Sequence, residues 1–351
     1  MSNNLELYNG VKMPINGFGL HRMPQSQETV DTVITAVKAG YRHIDTAWIY
    51  ENEYSVGIAV KECIKRGIVK REDLFITTKL CTHKLGYNSA LKCFNESLNN
   101  LGLEYIDMYI IHTPGRYLEN NEEKIVDSWR ALENIYKSGK TKAIGVSQFE
   151  INHLELLKNE TDIKPMLNQI ELHPTNQQKE VVKYCQNNNI VLGAWGALNQ
   201  GNTCKIPLII EIANKYNKTP AQIALRWSLQ RGFAPLSRSG KKENIIANAN
   251  IYDFELTNED MLLINSLDSF FTSSFGDYMQ AKPPVRITLD EVNKIQTRKE
   301  EFLSNYKYTY YLFGFIPFLT KWQPDKNKTK WHLFGFLPIF KSKRKWIEKG
   351  K

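Results

Sequence analysis

Asp45, Tyr50, Lys79 and His112 are four side chains whose types could together manage one proton at one oxygen. A phenol carries a transferable proton, but with a reference pKa of about 10 it is a weak acid near neutrality. A nearby ammonium favours the phenolate and lowers that value, and a carboxylate holds the ammonium in place and charged. A neutral imidazole can hydrogen-bond a carbonyl oxygen and orient it. Such a set suits the reduction of a carbonyl, in which a hydride from a nicotinamide leaves an alkoxide to be protonated; general acid catalysis of this kind is typically worth about 10²–10⁴-fold. Each residue alone has a blander reading: Asp45 as a turn or cap residue, His112 as a satisfied core histidine, Tyr50 as an ordinary aromatic. Lys79 is harder to dismiss, because a lysine on an apolar strand is rare unless paired.

Position gives the set its meaning. Short apolar or β-branched runs at 15–20, 41–45, 74–80, 106–112, 141–147, 166–172, 190–196 and 233–237 read as strands buried on both faces. Amphipathic stretches lie between them, such as SQETVDTVITAVKAG, with Ser26 as its cap and Gly40 as its stop. LELYNGVKMPI, with Asn9-Gly10 at its centre, reads as an opening hairpin. Alternating strands and helices allow a closed barrel or an open doubly wound sheet. Eight is the barrel number, and no GxGxxG follows the first strand. The expected fold is therefore α/β, a (β/α)₈ TIM barrel with an N-terminal β-hairpin and a C-terminal extension. In such a barrel the C-terminal strand ends meet at one mouth, and Asp45, Tyr50, Lys79 and His112 all fall at or just beyond those ends.

Composition sets the surroundings. An apolar fraction of 42% supports a sizeable core in a chain of 351 residues. Of 46 basic and 37 acidic residues, eleven and two fall in 302–351, leaving 35 of each in the rest. The main body is thus neutral, which argues against a nucleic-acid surface there, and the formal charge of +9 belongs to the tail. Cys63, Cys81, Cys93, Cys185 and Cys204 form no CxxC pair, as expected of reduced thiols in the cytoplasm. The opening residues carry no secretory pattern, no run approaches the ~18 apolar residues of a membrane span, and no metal-ligand set is read.

GYRHIDTAWIYENEYSVG (40–57) resembles the signature block of the aldo-keto reductases, in their aldose reductase and 2,5-diketo-gluconate reductase-like branch. ITTKL (76–80), DMYIIHTP (107–114), GVSQF (145–149), NQIELHP (168–174) and TPAQIALRW (219–227) follow in the family's order, so the resemblance covers roughly 5–270. It implies an NADPH-dependent reduction of an aldehyde or ketone, with Tyr50 as proton donor, Lys79 and Asp45 tuning it and His112 orienting the carbonyl. It further implies that Ser147, Gln148 and Gln169 hold the nicotinamide carboxamide and that Trp195 packs on its ring.

Departures from the pattern bear on cofactor and substrate. The family's I-P-K-S stretch, followed by Arg, Glu and Asn, holds the adenosine and its 2′-phosphate; this chain has LSRSGKKENIIAN. Arg238 stands for the Lys, Ser239 and Asn248 are kept, Asn244 replaces the Arg and Ala247 the Glu. Arg238 with Ser239, and Lys241 or Lys242 nearby, can still meet a phosphate dianion, so NADPH is the expected cofactor. Asn244 cannot mimic a planar guanidinium, which keeps NADH as the alternative. Trp48 is expected to wall the substrate pocket. Thr113 stands where many relatives have Trp, which suggests a wider or more polar mouth.

After about residue 275 the resemblance fades, which divides the chain into a barrel at 1–275, a closing loop and charged helical linker at 276–306, and a basic aromatic tail at 307–351. YLFGFIPFLTKW (311–322) and HLFGFLPIFKSK (332–343) match with a period of 21, sharing an LFGF(I/L)P core. Apolar aromatic patches among Lys and Arg, with Trp322, Trp331 and Trp346, suit the surface of an anionic membrane, at the inner face of a cytoplasmic protein's membrane. Gly and Pro in each core argue against a regular amphipathic helix and for a wedge or loop insertion. Docking to a protein partner and packing on the barrel are the alternatives. The repeated block resembles C-terminal tails on bacterial surface-polysaccharide biosynthesis proteins, which implies a sugar-related carbonyl as substrate. A second class of function also fits: a redox-sensing scaffold that binds cofactor and is tethered through its tail.

Overall fold

The computed structural model describes residues 3–115 and 121–269 in full, together with the backbone of four strands between 309 and 343. The chain forms two compact units, 1–286 and 287–351.

The first unit opens with an antiparallel hairpin of β1 (Asn4–Glu6) and β2 (Lys12–Pro14), turned at Gly10, whose φ of 83° a side chain would resist. Its turn lies at the N-terminal ends of the barrel strands: Asn9 Nδ2 donates to the Lys142 carbonyl at 3.0 Å, and the Tyr8 hydroxyl to that of Lys164 at 2.6 Å. The hairpin leaves the opposite rim uncovered.

Eight parallel strands close the barrel: β3 (Gly17–Gly19), β4 (His43–Asp45), β5 (Phe75–Leu80), β6 (Ile106–Ile111), β7 (Thr141–Ser147), β8 (Leu167–Glu171), β9 (Val191–Trp195) and β10 (Ala234–Ser237). All eight fall on the runs expected from sequence. Closure is tight where β10 meets β3. A Cβ on Gly17 would stand 2.3 Å from Leu236 Cδ2 and 2.9 Å from His43 Nδ1, so any larger residue there would force those two side chains to shift.

The surrounding helices are α1 (Gln27–Lys38), α2 (Glu53–Lys65), α3 (Tyr87–Leu101), α4 (Asn121–Lys137), α5 (Ile151–Glu160), α6 (Lys179–Asn187), α7 (Pro207–Tyr216) and α8 (Pro220–Gln230), followed after β10 by α9 (Lys242–Ala249) and α10 (Asn258–Asn265). Helix α1 shows why they form. The Ser26 side chain accepts from the Thr29 backbone N–H, and Val30, Val33, Ile34 and Val37 form one buried stripe. Burial of each such side chain is worth about 1.5–3 kcal/mol. Helix α8 starts with Pro220 at its first turn and a reciprocal Thr219–Gln222 cap.

In the second unit, β11 (Thr309–Leu312), β12 (Ile316–Asp325), β13 (Lys328–Leu333) and β14 (Leu337–Lys343) form an antiparallel sheet in chain order. The sequence repeat is a structural repeat. Leu312 pairs with Ile316 as Leu333 does with Leu337, Tyr311 with Pro317 as His332 with Pro338, and Tyr310 with Leu319 as Trp331 with Phe340. Both hairpins shift register at the same step, beside the proline. The residues flanking each core are paired strands, and proline is tolerated there beside a bulge, where its missing N–H breaks no ladder bond. The wedge or loop insertion expected at the cores falls on 313–315 and 334–336, outside the described residues. The expected closing loop at 274–286 and helical linker at 290–307 lie outside the described residues.

Candidate active site

The open rim gathers the four reactive groups. Asp45 ends β4, and a 3₁₀ turn over Trp48–Tyr50 carries the phenol back across the strand ends before α2 begins. Lys79 is the penultimate residue of β5, and His112 directly follows β6, its backbone N–H bonded to the Leu80 carbonyl at 3.1 Å.

Lys79, only 1% exposed, donates to Asp45 Oδ1 at 2.5 Å and to the Thr46 carbonyl at 2.7 Å. The second Asp45 oxygen accepts from Gln169 Nε2 at 2.8 Å. Both carboxylate oxygens are thereby engaged, as a buried charge requires. The Lys79 ammonium lies 5.1 Å from the centre of the Tyr50 ring, and the Tyr50 hydroxyl stands 3.5 Å from His112 Nε2. The Tyr50 and His112 rings meet edge to face at 79° with centroids 5.5 Å apart.

Burial, reinforced by the Asp45 carboxylate, pushes the Tyr50 phenol well above its ordinary value. The net direction is upward, although an ammonium lies near the ring. Lys79 is shared with its ion-pair partner Asp45, while enclosure penalises the phenolate directly. Tyr50 therefore keeps its proton at neutral pH. Burial lowers the Lys79 value too, with Asp45 pulling it back up. Burial, then Lys79 and His21, holds His112 well below 6.5, so its imidazole is neutral.

A cleft of about 840 Å³ runs from this cluster across the rim. Tyr50, His112, Thr113, Ser147, Gln148, Gln169 and Trp195 line one part of it, and Arg238, Ser239, Asn244, Ala247 and Asn248 another. Gln148 has a left-handed backbone, φ 62°, and its N–H donates to the Gln169 carbonyl at 3.0 Å. Among the described residues the buried indole N–H of Trp195 has no hydrogen-bond partner, a cost that a polar ligand group in the cleft would remove. Arg238 donates to the His21 carbonyl at 2.9 Å, which holds its guanidinium at the lip.

Trp48 lies outside this lining. Its indole N–H donates to Glu96 Oε2 at 3.0 Å on α3, and Lys84 stands 5.2 Å from its ring. Thr113 lines the cleft and hydrogen-bonds Thr82 through their hydroxyls at 2.8 Å. His21, Arg22, Gln200 and Cys204 also line it and were not expected from sequence. The His21 ring packs against Tyr50 at 5.1 Å, so Tyr50 stands between two imidazoles. One signal could have found His21: it directly follows the first barrel run at 15–20, where rim residues must fall.

A family model described as the aldo/keto reductase family matches residues 16–269. The chain is 48% identical over 262 residues to the Bacillus subtilis oxidoreductase YtbE, covering 75% of this chain and 91% of that protein. It is 46% identical over 268 residues to the glyoxal reductase of the same organism, covering 76% and 94%. Among solved structures, MGS-M4, an aldo-keto reductase from a Medee basin deep-sea metagenome library, superposes with a TM-score of 0.72 at 39% identity, covering 77% of this chain and 96% of that one. A Bombyx mori aldo-keto reductase in complex with NADP gives a TM-score of 0.72 at 32% identity, covering 79% and 97%.

Proposed function

Because this chain belongs to the aldo/keto reductase family, we propose that it reduces a small aldehyde or ketone to an alcohol with NADPH, Tyr50 supplying the proton. The observation that carries this reading is the buried Lys79–Asp45 pair beneath a phenol that stands 3.5 Å from a neutral imidazole. When bound, the dihydronicotinamide supplies the hydride.

The chain's own residues do the rest. His112, kept neutral, meets the carbonyl oxygen without competing for its proton, and Tyr50 holds a loaded proton at the same oxygen. An alkoxide is a far stronger base than a phenolate, so the transfer runs downhill even from an enclosed tyrosine. Lys79 then faces the phenolate left behind, and Asp45 keeps Lys79 charged and fixed. Ser147, Gln148 and Gln169 offer polar groups to a carboxamide, and Trp195 offers a flat wall and an unsatisfied N–H. At the far end Arg238, Ser239 and Asn248 face the adenosine and its 2′-phosphate, with Asn244 and Ala247 leaving room that NADH could also use.

The glyoxal reductase relative and the polar lining at His21, Arg22 and Thr113 favour a small oxygen-rich carbonyl, a dicarbonyl or sugar-related aldehyde. Five free thiols, four of them buried, suit a cytoplasmic enzyme. A complete proton-transfer set argues for turnover over a purely cofactor-sensing scaffold, which has no use for Tyr50 as a donor. The test is to follow cofactor absorbance with NADPH or NADH against glyoxal, aldoses and simple aldehydes. Tight NADPH binding with equal inactivity of wild type and Tyr50→Phe on every carbonyl would sink the enzyme reading.

A further inference from the structure

Tyr50 packs between two imidazoles, and the proton transfer proposed above uses only one of them. On that mechanism the Tyr50 hydroxyl and His112 Nε2, 3.5 Å apart, both meet the oxygen being reduced. The second imidazole, His21, is exposed at the lip of the same cleft. Its ring centre lies 5.1 Å from that of Tyr50, with the planes at 49°.

The backbone that carries His21 is held from several directions. The Leu20 N–H donates to the Asp45 carbonyl at 3.0 Å, and the Leu20 carbonyl accepts from the Met23 N–H at 3.1 Å. Asn52 Nδ2 donates to the carbonyls of Leu20 at 3.0 Å and Met23 at 2.9 Å. Asn52 is itself fully buried, and its Oδ1 accepts from the Thr46 hydroxyl at 2.5 Å. The His21 carbonyl accepts from Arg238 at 2.9 Å. The turn over 20–23 is thus tied to Asp45 and to Asn52, two residues beyond Tyr50. The segment that carries the phenol also clamps the imidazole beside it, and such backing is what preorganises a binding contact.

The rest of the wall near the phenol is polar. Trp48 turns away to Glu96, and Thr113 offers a hydroxyl already paired with Thr82. In either protonation state an imidazole carries at least one N–H. A substrate seated at Tyr50 covers His21 and strips water from it. An alkyl group placed there leaves the N–H unsatisfied, whereas an oxygen replaces the lost water.

We propose that His21 determines specificity in the reduction: its N–H donates to a second oxygen, carried on the carbon next to the carbonyl. The preferred substrates are then 2-oxo and 2-hydroxy aldehydes over simple alkanals. This rests on the reductase reading above and assigns a residue and a substrate class within it. Arg22 also lines the cleft, but it is the His21 ring that packs on Tyr50.

The test compares kcat/KM with NADPH for 2-oxopropanal and propanal, which differ only in the oxygen on the second carbon, in wild type, His21→Phe and His21→Gln. The ratio of the two values cancels damage common to both substrates, including any disturbance of Tyr50. His21→Phe keeps a ring against Tyr50 but has no N–H, and the ratio should fall about tenfold. The loss should appear mainly as a higher KM for 2-oxopropanal, because the bond is present before and during hydride transfer. His21→Gln retains a donor and should keep the ratio within about threefold of wild type. An unchanged ratio in the Phe variant, or a Gln variant that falls as far as the Phe one, would overturn the assignment and leave the reductase reading intact. Turnover of neither aldehyde by wild type would instead overturn that reading, and this inference with it.

Discussion

The barrel rim and the C-terminal sheet hold their chemistry in opposite ways. At the rim, Asp45 is bonded to Lys79, 34 positions on, and to Gln169, 124 positions on, so the site exists only once the barrel has closed. In the sheet, pairing partners are near neighbours, such as Leu312 with Ile316, and the same register returns 21 residues later. A rim of distant contributors can be tuned one residue at a time but fails as a unit when a shared partner is lost. A repeat of local hairpins works by sum, and each copy contributes a share. The two regions should therefore respond differently to single substitutions.

The largest effect is expected at the rim. Tyr50→Phe should lower kcat by about 10²–10⁴-fold with NADPH affinity unchanged, read by steady-state kinetics beside a fluorescence titration. Lys79→Met should destabilise the fold by about 3–5 kcal/mol in chemical denaturation, because Asp45 is left buried without its counter-charge. Restoring neutrality with Asp45→Asn in the same chain should recover part of that loss, and an additive double variant would break the picture of a shared unit.

Next comes a dependence on pH that belongs to the barrel alone. Burial lowers the His43 pKa from 6.5 to about 4. The unfolded chain takes up that proton first, so stability is full above 6.5 and falls as pH drops towards 4, by about 3 kcal/mol in all. Denaturation curves at pH 7 and pH 4 should show this fall, and His43→Gln should flatten that part of it. A smaller change is expected at the adenosine end, where Asn244→Arg should raise the preference for NADPH over NADH by about tenfold through a charge-assisted contact. Smallest of all, ending the chain after Arg286 should leave kcat/KM in solution within about twofold. A larger loss would mean that the two regions are not separable.

Legibility followed the same division. The barrel strands could be read because parallel strands buried on both faces appear as short apolar runs, and Asp45, Tyr50, Lys79 and His112 because each falls at or just beyond a strand end. Gln169 engaging Asp45 could not be read, since a hydrogen bond between strands four places apart across the barrel leaves no local trace. The direction of the Tyr50 shift was also hidden: it depends on enclosure, which residue types alone do not measure. Trp48 turning towards Glu96 rather than lining the cleft is a rotamer outcome, decided by a partner on α3. In the tail the repeat was plain but its strands were not, because Pro normally interrupts a ladder, and the bulge shared by both hairpins accommodates it.

Asp45 has a further consequence. Its two oxygens fasten the ammonium beneath the Tyr50 ring and the Gln169 amide that borders the cleft. On the proposed mechanism one carboxylate would then serve both the proton donor and the cofactor side, and a change at Gln169 that loosens its grip is expected to be felt at Tyr50 as well. Thr113, which lines the cleft and bonds Thr82 rather than Asp45, is the position where a side chain can be exchanged while that carboxylate's two contacts stay in place.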